Sequence, residues 1–321
     1  MASVTLAESA KLSQDDMVIG LIESIVTVDK FFQMIPFDGL EGNAIAYNRE
    51  LTVGTVATVA TGDDIGPAVA AGLNQAERTL AKDAATFTQV TSALTTIMGD
   101  AEVNQLIQQT RSDKNDQTGV QIASKAKSAG RKYQNLLING VAGANNEFAG
   151  LLTLVPAAQK VSTAANGEVL SFAILDELMD LPIDKDGQVD YFMMPRRTLR
   201  AYQALLRGLG GASINDVVSL PDGTQVPAYR GVPIFVNDYI PVTQVQGASG
   251  AVCTTIFAGT FDDGSRTIGI AGLTATNQSG LHVEDVGIHY SKDERIWRVK
   301  WYCGLALFSE LGIASASGIT N

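Results

Sequence analysis

The chain has 321 residues, of which 45% are hydrophobic and 18% are charged, and its formal net charge is -11. This composition is typical of a globular protein and excludes a wholly disordered chain. The negative net charge argues against a nonspecific DNA-binding protein, which would carry a basic surface, although it leaves open a protein that encloses nucleic acid without binding it tightly.

The N-terminal sequence MASVTLAESAKLSQDD has no basic segment followed by an apolar one, so we expect no signal peptide. No apolar run approaches the ~20 residues of a membrane-spanning helix. The two cysteines, Cys253 and Cys303, lie far apart in apolar, strand-like surroundings and cannot form a disulfide framework. We therefore expect buried free thiols, and a chain that is made and kept in the cytosol.

Residues 16–37, DMVIGLIESIVTVDKFFQMIPF, have a partly helical apolar spacing that decays toward Pro36. Residues 43–61 then alternate in the manner of a β-strand, and residues 85–98 form a second such run. The Gly-rich and charge-rich stretch between them is much longer than the usual hairpin loop of about 2–5 residues. We predict a long hairpin with a wide tip that reaches a neighbouring subunit.

A long helix is predicted over about residues 101–139, with an interruption near Asn115 and Asp116. Its apolar positions recur at steps of three and four residues and form a single stripe. Asn139 and Gly140 then predict a left-handed stop at the C-terminus of the helix. Basic residues populate the flanks and far face of the helix: Arg111, Lys114, Lys125, Lys127, Arg131 and Lys132. They are interpreted as a solvated face, as a contact for an acidic partner surface, or as a nucleic-acid contact, and the net charge favours the second over the third.

The remaining sequence mixes helix and strand. Residues 171–182 predict a helix closed by Pro182, residues 189–195 a buried strand, and residues 196–211 a second helix that ends on glycines. After a polar loop at residues 243–251 the chain is mainly β. Without an internal repeat or a Pro/Ser-rich linker, the elements are expected to form one interwoven α+β unit.

Candidate catalytic residues are scarce. The segment HVEDVGIH would place His282 and Glu284 on one strand face, where a metal or enzymatic site competes with an ordinary solvent-facing strand. The segment DKDGQVD at residues 184–190 resembles the start of a calcium loop, but Gly187 is at the fourth position and the distal Glu is missing, which favours a turn. The segment GLGGAS follows a helix and so cannot be a dinucleotide-binding turn. We predict no catalytic residue, no cofactor and no metal.

Five landmarks in series resemble the major capsid proteins of tailed bacteriophages with the Hong Kong 97-type coat fold. They are the apolar N-terminal arm with its long hairpin, the helix ending in LLINGVAGANNEFAGLL, and the segments VDYFMMPRRTLRAYQAL, YRGVPIFVNDYIP and IFAGTFDDGSRTIGIAGL. The resemblance implies an α+β fold with an N-terminal arm, an extended β-hairpin (E-loop), a long spine helix, and peripheral and axial domains. It implies a coat protein, and not an enzyme, that forms an icosahedral shell of hexamers and pentamers around double-stranded DNA.

The resemblance also divides the chain. It implies an arm at 1–42, the hairpin at 43–90, a peripheral domain at 91–150 and 259–300, and an axial domain at 151–258 and 301–321. The candidate intersubunit contacts on the hairpin are Arg49, Glu50, Asp63, Asp64, Arg78 and Lys82, and the candidate basic face of the spine helix is Lys125, Lys127, Arg131 and Lys132.

The expected partners are further copies of the chain, a portal and a decoration protein. Because the arm begins almost at Met1, the resemblance implies a separate scaffolding protein or none. The expected location is the virion capsid, assembled in the cytoplasm of a bacterial host, with DNA enclosed but not specifically bound and with no membrane partner. An encapsulin, a bacterial compartment of the same fold that stores enzymes, is the alternative. An α+β enzyme that uses His282 and Glu284 is the alternative of a different class.

Overall fold

We describe the chain from a computed structural model, which covers residues 30–54, 56, 84–111, 116–161, 163–183, 187–208, 217–221, 223–248 and 250–320. The helices are α1 Lys30–Met34, α2 Gln105–Arg111, α3 Gln117–Asn139, α4 Leu151–Leu154, α5 Phe172–Ile183 and α6 Arg196–Gly208. The strands are β1 Phe37–Leu40, β2 Ala44–Thr52, β3 Thr86–Ala93, β4 Thr95–Asn104, β5 Lys160–Val161, β6 Tyr191–Met194, β7 Val217–Ser219, β8 Gln225–Tyr229, β9 Val232–Val236, β10 Gln244–Gln246, β11 Ala251–Gly259, β12 Ile270–Ala275, β13 Leu281–Ile288, β14 Glu294–Leu307 and β15 Ile313–Ile319. The mixed α+β class expected from the sequence is confirmed.

A five-stranded sheet is built around β14, the longest described strand. Strands β12 and β13 pair with successive parts of one edge of β14, and β4 pairs with its other edge from Glu294 to Cys303. Strand β1 adds to β12 in parallel, so part of the predicted arm belongs to this sheet. Helix α3 packs along β4 and β14. Because β14 runs unbroken to Leu307, the domain boundary expected after residue 300 falls inside a strand.

An eight-stranded sheet forms the other half of the molecule, in the order β5-β15-β11-β6-β9-β8-β7, with β10 paired to β11. All four residues of β6 are buried, as the apolar run at residues 189–195 predicts. Helices α5 and α6 cover one face, and the Tyr202 hydroxyl of α6 donates to the Ala228 carbonyl of β8 at 2.8 Å. Helix α6 is described only to Gly208, and residues 209–211 of its predicted span lie outside the described ranges.

The spine helix α3 begins where the sequence predicts an interruption. The Asp116 carboxylate accepts a hydrogen bond from the Thr118 amide at 3.1 Å and caps the helix, a role for which Asp is preferred because its side chain satisfies a free amide. The predicted helical span, which started at about residue 101, is wrong in its first part. Residues 101–104 belong to β4, where Val103 pairs with Arg295 of β14, and only from Gln105 does helix α2 begin.

The turn after the spine helix differs from the predicted left-handed stop. Gly140 has φ of -58° and ψ of 138°, which any residue can adopt. The left-handed residues of this turn are Gly143, Asn145 and Asn146 instead. Gly140 is needed for close approach, because a Cβ there would lie 2.6 Å from the Leu136 carbonyl oxygen. The position still ends the helix, with the Gly140 amide bonded to Leu136 and its carbonyl accepting from Gly150.

One hydrophobic core joins the two sheets. It contains α1, the last turns of α3, the inner face of β14, and β6, β9, β11 and β15 of the eight-stranded sheet. Aromatic rings form its centre: Tyr133 of α3 lies 4.7 Å from Trp301 of β14, and Phe31 of α1 lies 4.9 Å from Tyr191 of β6, measured between ring centroids. The two halves are therefore packed as one body.

Candidate assembly surfaces

The hairpin of β2 and β3 is a two-stranded sheet separate from the other two. Its register pairs Ala44 with Ala93 at the root and Thr52 with Thr86 at the outer end, with an irregularity beside Glu50. Phe87 is 68% exposed near that outer end. Because an isolated two-stranded hairpin is marginally stable in water, this one must gain support from its own subunit, from a neighbour, or from both.

The root of the hairpin packs on its own subunit. Side chains of Ile45, Tyr47 and Leu94 contact a small apolar cluster that includes Leu273 and Phe308 at the edge of the five-stranded sheet. The alternation along β2 explains this placement, since residues 45, 47 and 49 are half-buried while their neighbours in the strand are exposed. One face of the hairpin therefore lies against the body and the other faces away.

Tyr47 and Arg49 anchor this inner face through polar contacts. The Tyr47 hydroxyl donates to the Leu307 carbonyl at 2.7 Å, and its ring lies 5.3 Å from the Phe308 ring. The Arg49 guanidinium donates to the Phe308 carbonyl at 2.9 Å, to the Leu307 carbonyl, and to the Glu310 carboxylate at 3.0 Å. We call these five residues the hairpin clamp.

The clamp changes the interpretation of one predicted contact residue. Arg49, expected to contact another subunit, is occupied within its own chain, and its side chain is 15% exposed. Glu50 is exposed on the opposite face of β2 and stays a candidate for intersubunit contact. The other four candidates, Asp63, Asp64, Arg78 and Lys82, lie outside the described residues, as does the predicted wide tip of the hairpin.

The basic face of the spine helix is present but partly neutralised by its own chain. Lys125, Lys127 and Lys132 are exposed and Arg131 is half-buried. Lys132 forms an ion pair with Glu147 at 2.9 Å. Lys127 and Arg131 also have interaction partners. The Lys132–Glu147 pair leaves this face with less free positive charge to offer to a phosphate backbone than its sequence suggests.

Three ion pairs cross the five-stranded sheet. Arg298 donates twice to Asp100, at 2.7 and 2.8 Å, and this hydrogen bonding lowers the pKa of Asp100, with a further contribution from the charge of Lys125. Lys300 pairs with Glu284, and Arg295 pairs with Asp285.

These pairs bear on the metal or enzymatic site considered for His282 and Glu284. The hydrogen bond from Lys300 lowers the pKa of Glu284, so this carboxylate is held by a cation of the next strand. Within the ranges that the structure describes, no group of three or more His, Cys, Asp and Glu side chains is placed to hold a metal ion. The arrangement matches a sheet surface cross-linked by ion pairs.

A cleft of about 240 Å³ opens on the eight-stranded sheet. Its lining combines apolar and polar residues: Leu152, Lys160, Gln244, Val245, Gln246, Thr255, Ser315, Ser317 and Gly318. Lys160 is the one ionisable side chain among them, so the cleft lacks the paired acid and base that proton-transfer catalysis uses. None of the described helices combines the length and apolarity needed to cross a bilayer.

Comparison with known proteins defines the class to which this architecture belongs. A solved structure of the holo-SrpI encapsulin complex from Synechococcus elongatus PCC 7942 matches with a TM-score of 0.71 and 19% identity, over 99% of this chain and 97% of that one. The capsid of a native GTA particle matches with a TM-score of 0.64 and 14% identity, over 100% of both chains. The capsid of Myoviridae phage XM1 matches with a TM-score of 0.62 and 11% identity, over 99% of this chain and 100% of that one. The fold is that of Hong Kong 97-type shell proteins, as the five landmarks in the sequence predict.

The class is shell protein, as the matching family model states. The family is given by a sequence model described as type 2A encapsulin shell protein SrpI-like, which matches residues 102–314, about two thirds of the chain. This chain belongs to that family. No curated protein matches it by sequence. The family thus agrees with the alternative that the sequence left open, while the fold is shared with the bacteriophage capsids.

Proposed function

We propose that this chain is the structural subunit of an encapsulin-type compartment, a closed shell that holds protein rather than a packaged genome. The observation that carries the proposal is the family match, because residues 102–314 include the spine helix and most of both sheets. The solved encapsulin with the same fold is described as a holo complex, which supports a loaded shell. The partners are further copies of the chain and a cargo protein, in the cytoplasm of a bacterium, and the subunit itself performs no catalysis.

Electrostatics favours protein cargo. With a net charge of -11, the subunit as a whole repels phosphate, and nonspecific DNA binding depends on cationic contacts that release counterions. The basic face of the spine helix is the strongest local exception, and Glu147 already neutralises part of it. We therefore expect weak binding of duplex DNA by the free subunit.

Two experiments test the proposal. The chain is first produced alone and examined by sedimentation and electron microscopy, where closed particles of uniform diameter are expected and a compact monomer under all assembly conditions would refute the shell function. Particles are then isolated from the native cell and treated with nuclease. Protein cargo with little protected nucleic acid supports a compartment.

A bacteriophage capsid is the second candidate, favoured by the full-length structural matches to capsids. It predicts nuclease-protected double-stranded DNA in native particles, a shell of hexamers and pentamers, and co-purifying portal, scaffolding or decoration proteins. The variant with Lys125, Lys127, Arg131 and Lys132 replaced by Ala adds a direct comparison. It should alter solubility or assembly more than DNA retention, and tight salt-sensitive DNA binding that the substitution abolishes would assign the helix to nucleic acid.

A further inference from the structure

The hairpin clamp joins two parts of the chain that are far apart in sequence. Arg49 lies on β2, and its three acceptors lie at the end of β14 and in the turn that follows, 258 to 261 residues later. The Leu307 and Phe308 acceptors are backbone carbonyls, so their positions are fixed by the main chain and not by a flexible side chain. The hairpin is thus attached to a rigid part of its own subunit.

The contacts fix a direction as well as a position. A guanidinium is planar and presents its N–H groups in a rigid fork, so three acceptors bound by three different nitrogens define the orientation of the Arg49 group. Tyr47 lies two residues earlier on the same strand face and adds a second anchor at the Leu307 carbonyl. Arg49 also lies over the Tyr47 ring, at 5.6 Å from its centroid, which couples the two anchors. Two anchored points along one strand set the line that the strand follows.

Beyond the clamp the described end of the hairpin is exposed. Val53 is 77% exposed and Phe87 is 68% exposed. Each residue beyond Arg49 extends the arm by about 3.3 Å, so a small rotation at the clamp becomes a large displacement at the far end. The angle at the clamp therefore decides which part of space the outer hairpin can reach.

We propose that Tyr47, Arg49 and Glu310 are positioning residues that set the angle of the hairpin on its own subunit before any neighbour binds. In this arrangement the subunit enters assembly with its arm already directed, and the entropy of ordering the arm is not lost at the moment of contact. The effect on the subunit is independent of the proposed function, whereas its consequence for shell uniformity rests on that function.

The angle can be measured on the full-length, dissociated subunit by electron spin-echo distances between two spin labels. Labels at Phe87→Cys, on the exposed face of β3 beyond the clamp, and Glu177→Cys on α5 report the outer end of the described hairpin against the body. Both native cysteines are buried with 0% exposure, so the introduced thiols are labelled selectively. The clamp predicts a single narrow distance distribution.

In this labelled background Arg49→Ala removes the central group of the clamp. We expect the population outside the main distance peak to rise about tenfold, as the loss of hydrogen bonds from a charged group implies. The matched control is Arg295→Ala, because Arg295 also pairs with a carboxylate, Asp285, and also lies over an aromatic ring, that of Trp297 at 5.3 Å. The control should leave the distance distribution unchanged.

Milder variants keep the test decisive if Arg49→Ala does not fold. Arg49→Lys retains the charge but not the fork and should broaden the distribution, whereas Glu310→Gln retains both carbonyl contacts and should broaden it less. A distribution identical to wild type in both Arg49 variants overturns the proposal, whether or not the wild-type chain forms shells. If it forms them, particles of the Arg49 variants should vary more in diameter by electron microscopy, and unchanged diameters would refute the consequence for assembly.

Discussion

Replacing Gly140 by Ala tests the close approach at the end of the spine helix. The added Cβ would lie 2.6 Å from the Leu136 carbonyl oxygen and closer still to that of Phe148, whereas ordinary contact begins at 3.4 Å. The backbone must therefore move by about 0.8 Å or more, in a part of the chain that the core holds from both sides. Overpacking of this kind costs about 1–3 kcal/mol for one contact, and two carbonyls are involved. After the gain of about 0.5–1 kcal/mol from a stiffer unfolded chain, we expect a net loss of about 1–5.5 kcal/mol.

Two glycines of the same region supply controls. Gly130 is inside α3 with no atom within 4 Å of its added Cβ, so Gly130→Ala should stabilise the subunit by about 0.5–1 kcal/mol. Gly143 has a φ of 79° and open space around it, so Gly143→Ala should lose only the left-handed strain of about 1–2 kcal/mol. Urea unfolding of dissociated subunits, followed by the fluorescence of the two tryptophans, gives all three values. A Gly140→Ala subunit as stable as wild type would refute the close-approach argument.

Three further predictions concern the sheet, the thiols and the hairpin tip. Hydrogen bonding to Arg298 lowers the pKa of Asp100 in the folded state, so the stabilisation is present above the ordinary pKa of Asp100 and is lost as pH falls through the folded-state pKa. The Arg298→Ala variant should therefore show a weaker loss of stability in acid, measured by denaturation at several pH values. An unchanged acid dependence would contradict this prediction. Burial raises the pKa of the Cys303 thiol to about 12, and Cys253 is also buried. Neither thiol should therefore react with a disulfide reagent at pH 8 until the chain unfolds. Rapid labelling of the native protein would show that the thiols are accessible. Deletion of residues 62–82 should leave a cooperative thermal transition but weaken assembly, since the paired strands and the clamp remain; loss of the transition would place that segment in the core.

Local patterns in the sequence predicted the elements whose stability is local. The apolar stripe through Tyr133 and Leu136 follows the helical period, and it faces the core as expected. The start of the spine helix follows from Asp116, whose side chain competes for backbone amides. Strand β6 was predictable because it is apolar on both faces and short.

Other elements depend on partners that are distant in sequence. Residues 101–104 fit a helical period as well as a strand, and pairing with β14 decides for the strand. Strand β15 lies in the region predicted to be mainly β but was not predicted as a separate element, because it consists largely of small residues, among which Ala314 and Ala316 are buried where α5 approaches the sheet. The glycine at position 140 predicted a turn, but only the three-dimensional path of the chain shows that space, and not φ, requires it.

The candidate site was predictable in outline and not in detail. The length of the segment between two β runs predicted a projecting hairpin, but Arg49 and Glu310 are separated by 261 residues and no local pattern links them. Arg49 was a candidate intersubunit contact because it lies on the hairpin that resembles an E-loop. Its actual acceptors include two backbone carbonyls, which have no signature in the sequence at all.

The aromatic core between the two sheets determines where a shell of such subunits can yield under load. Phe31 packs against Tyr191, and Tyr133 packs against Trp301, so bending one half of the subunit on the other would separate rings that are closely packed. Close-packed interiors have low compressibility and transmit strain. We therefore expect each subunit to deform little, and elastic deformation of the wall, under osmotic pressure or an indenting probe, to be concentrated at the interfaces between subunits.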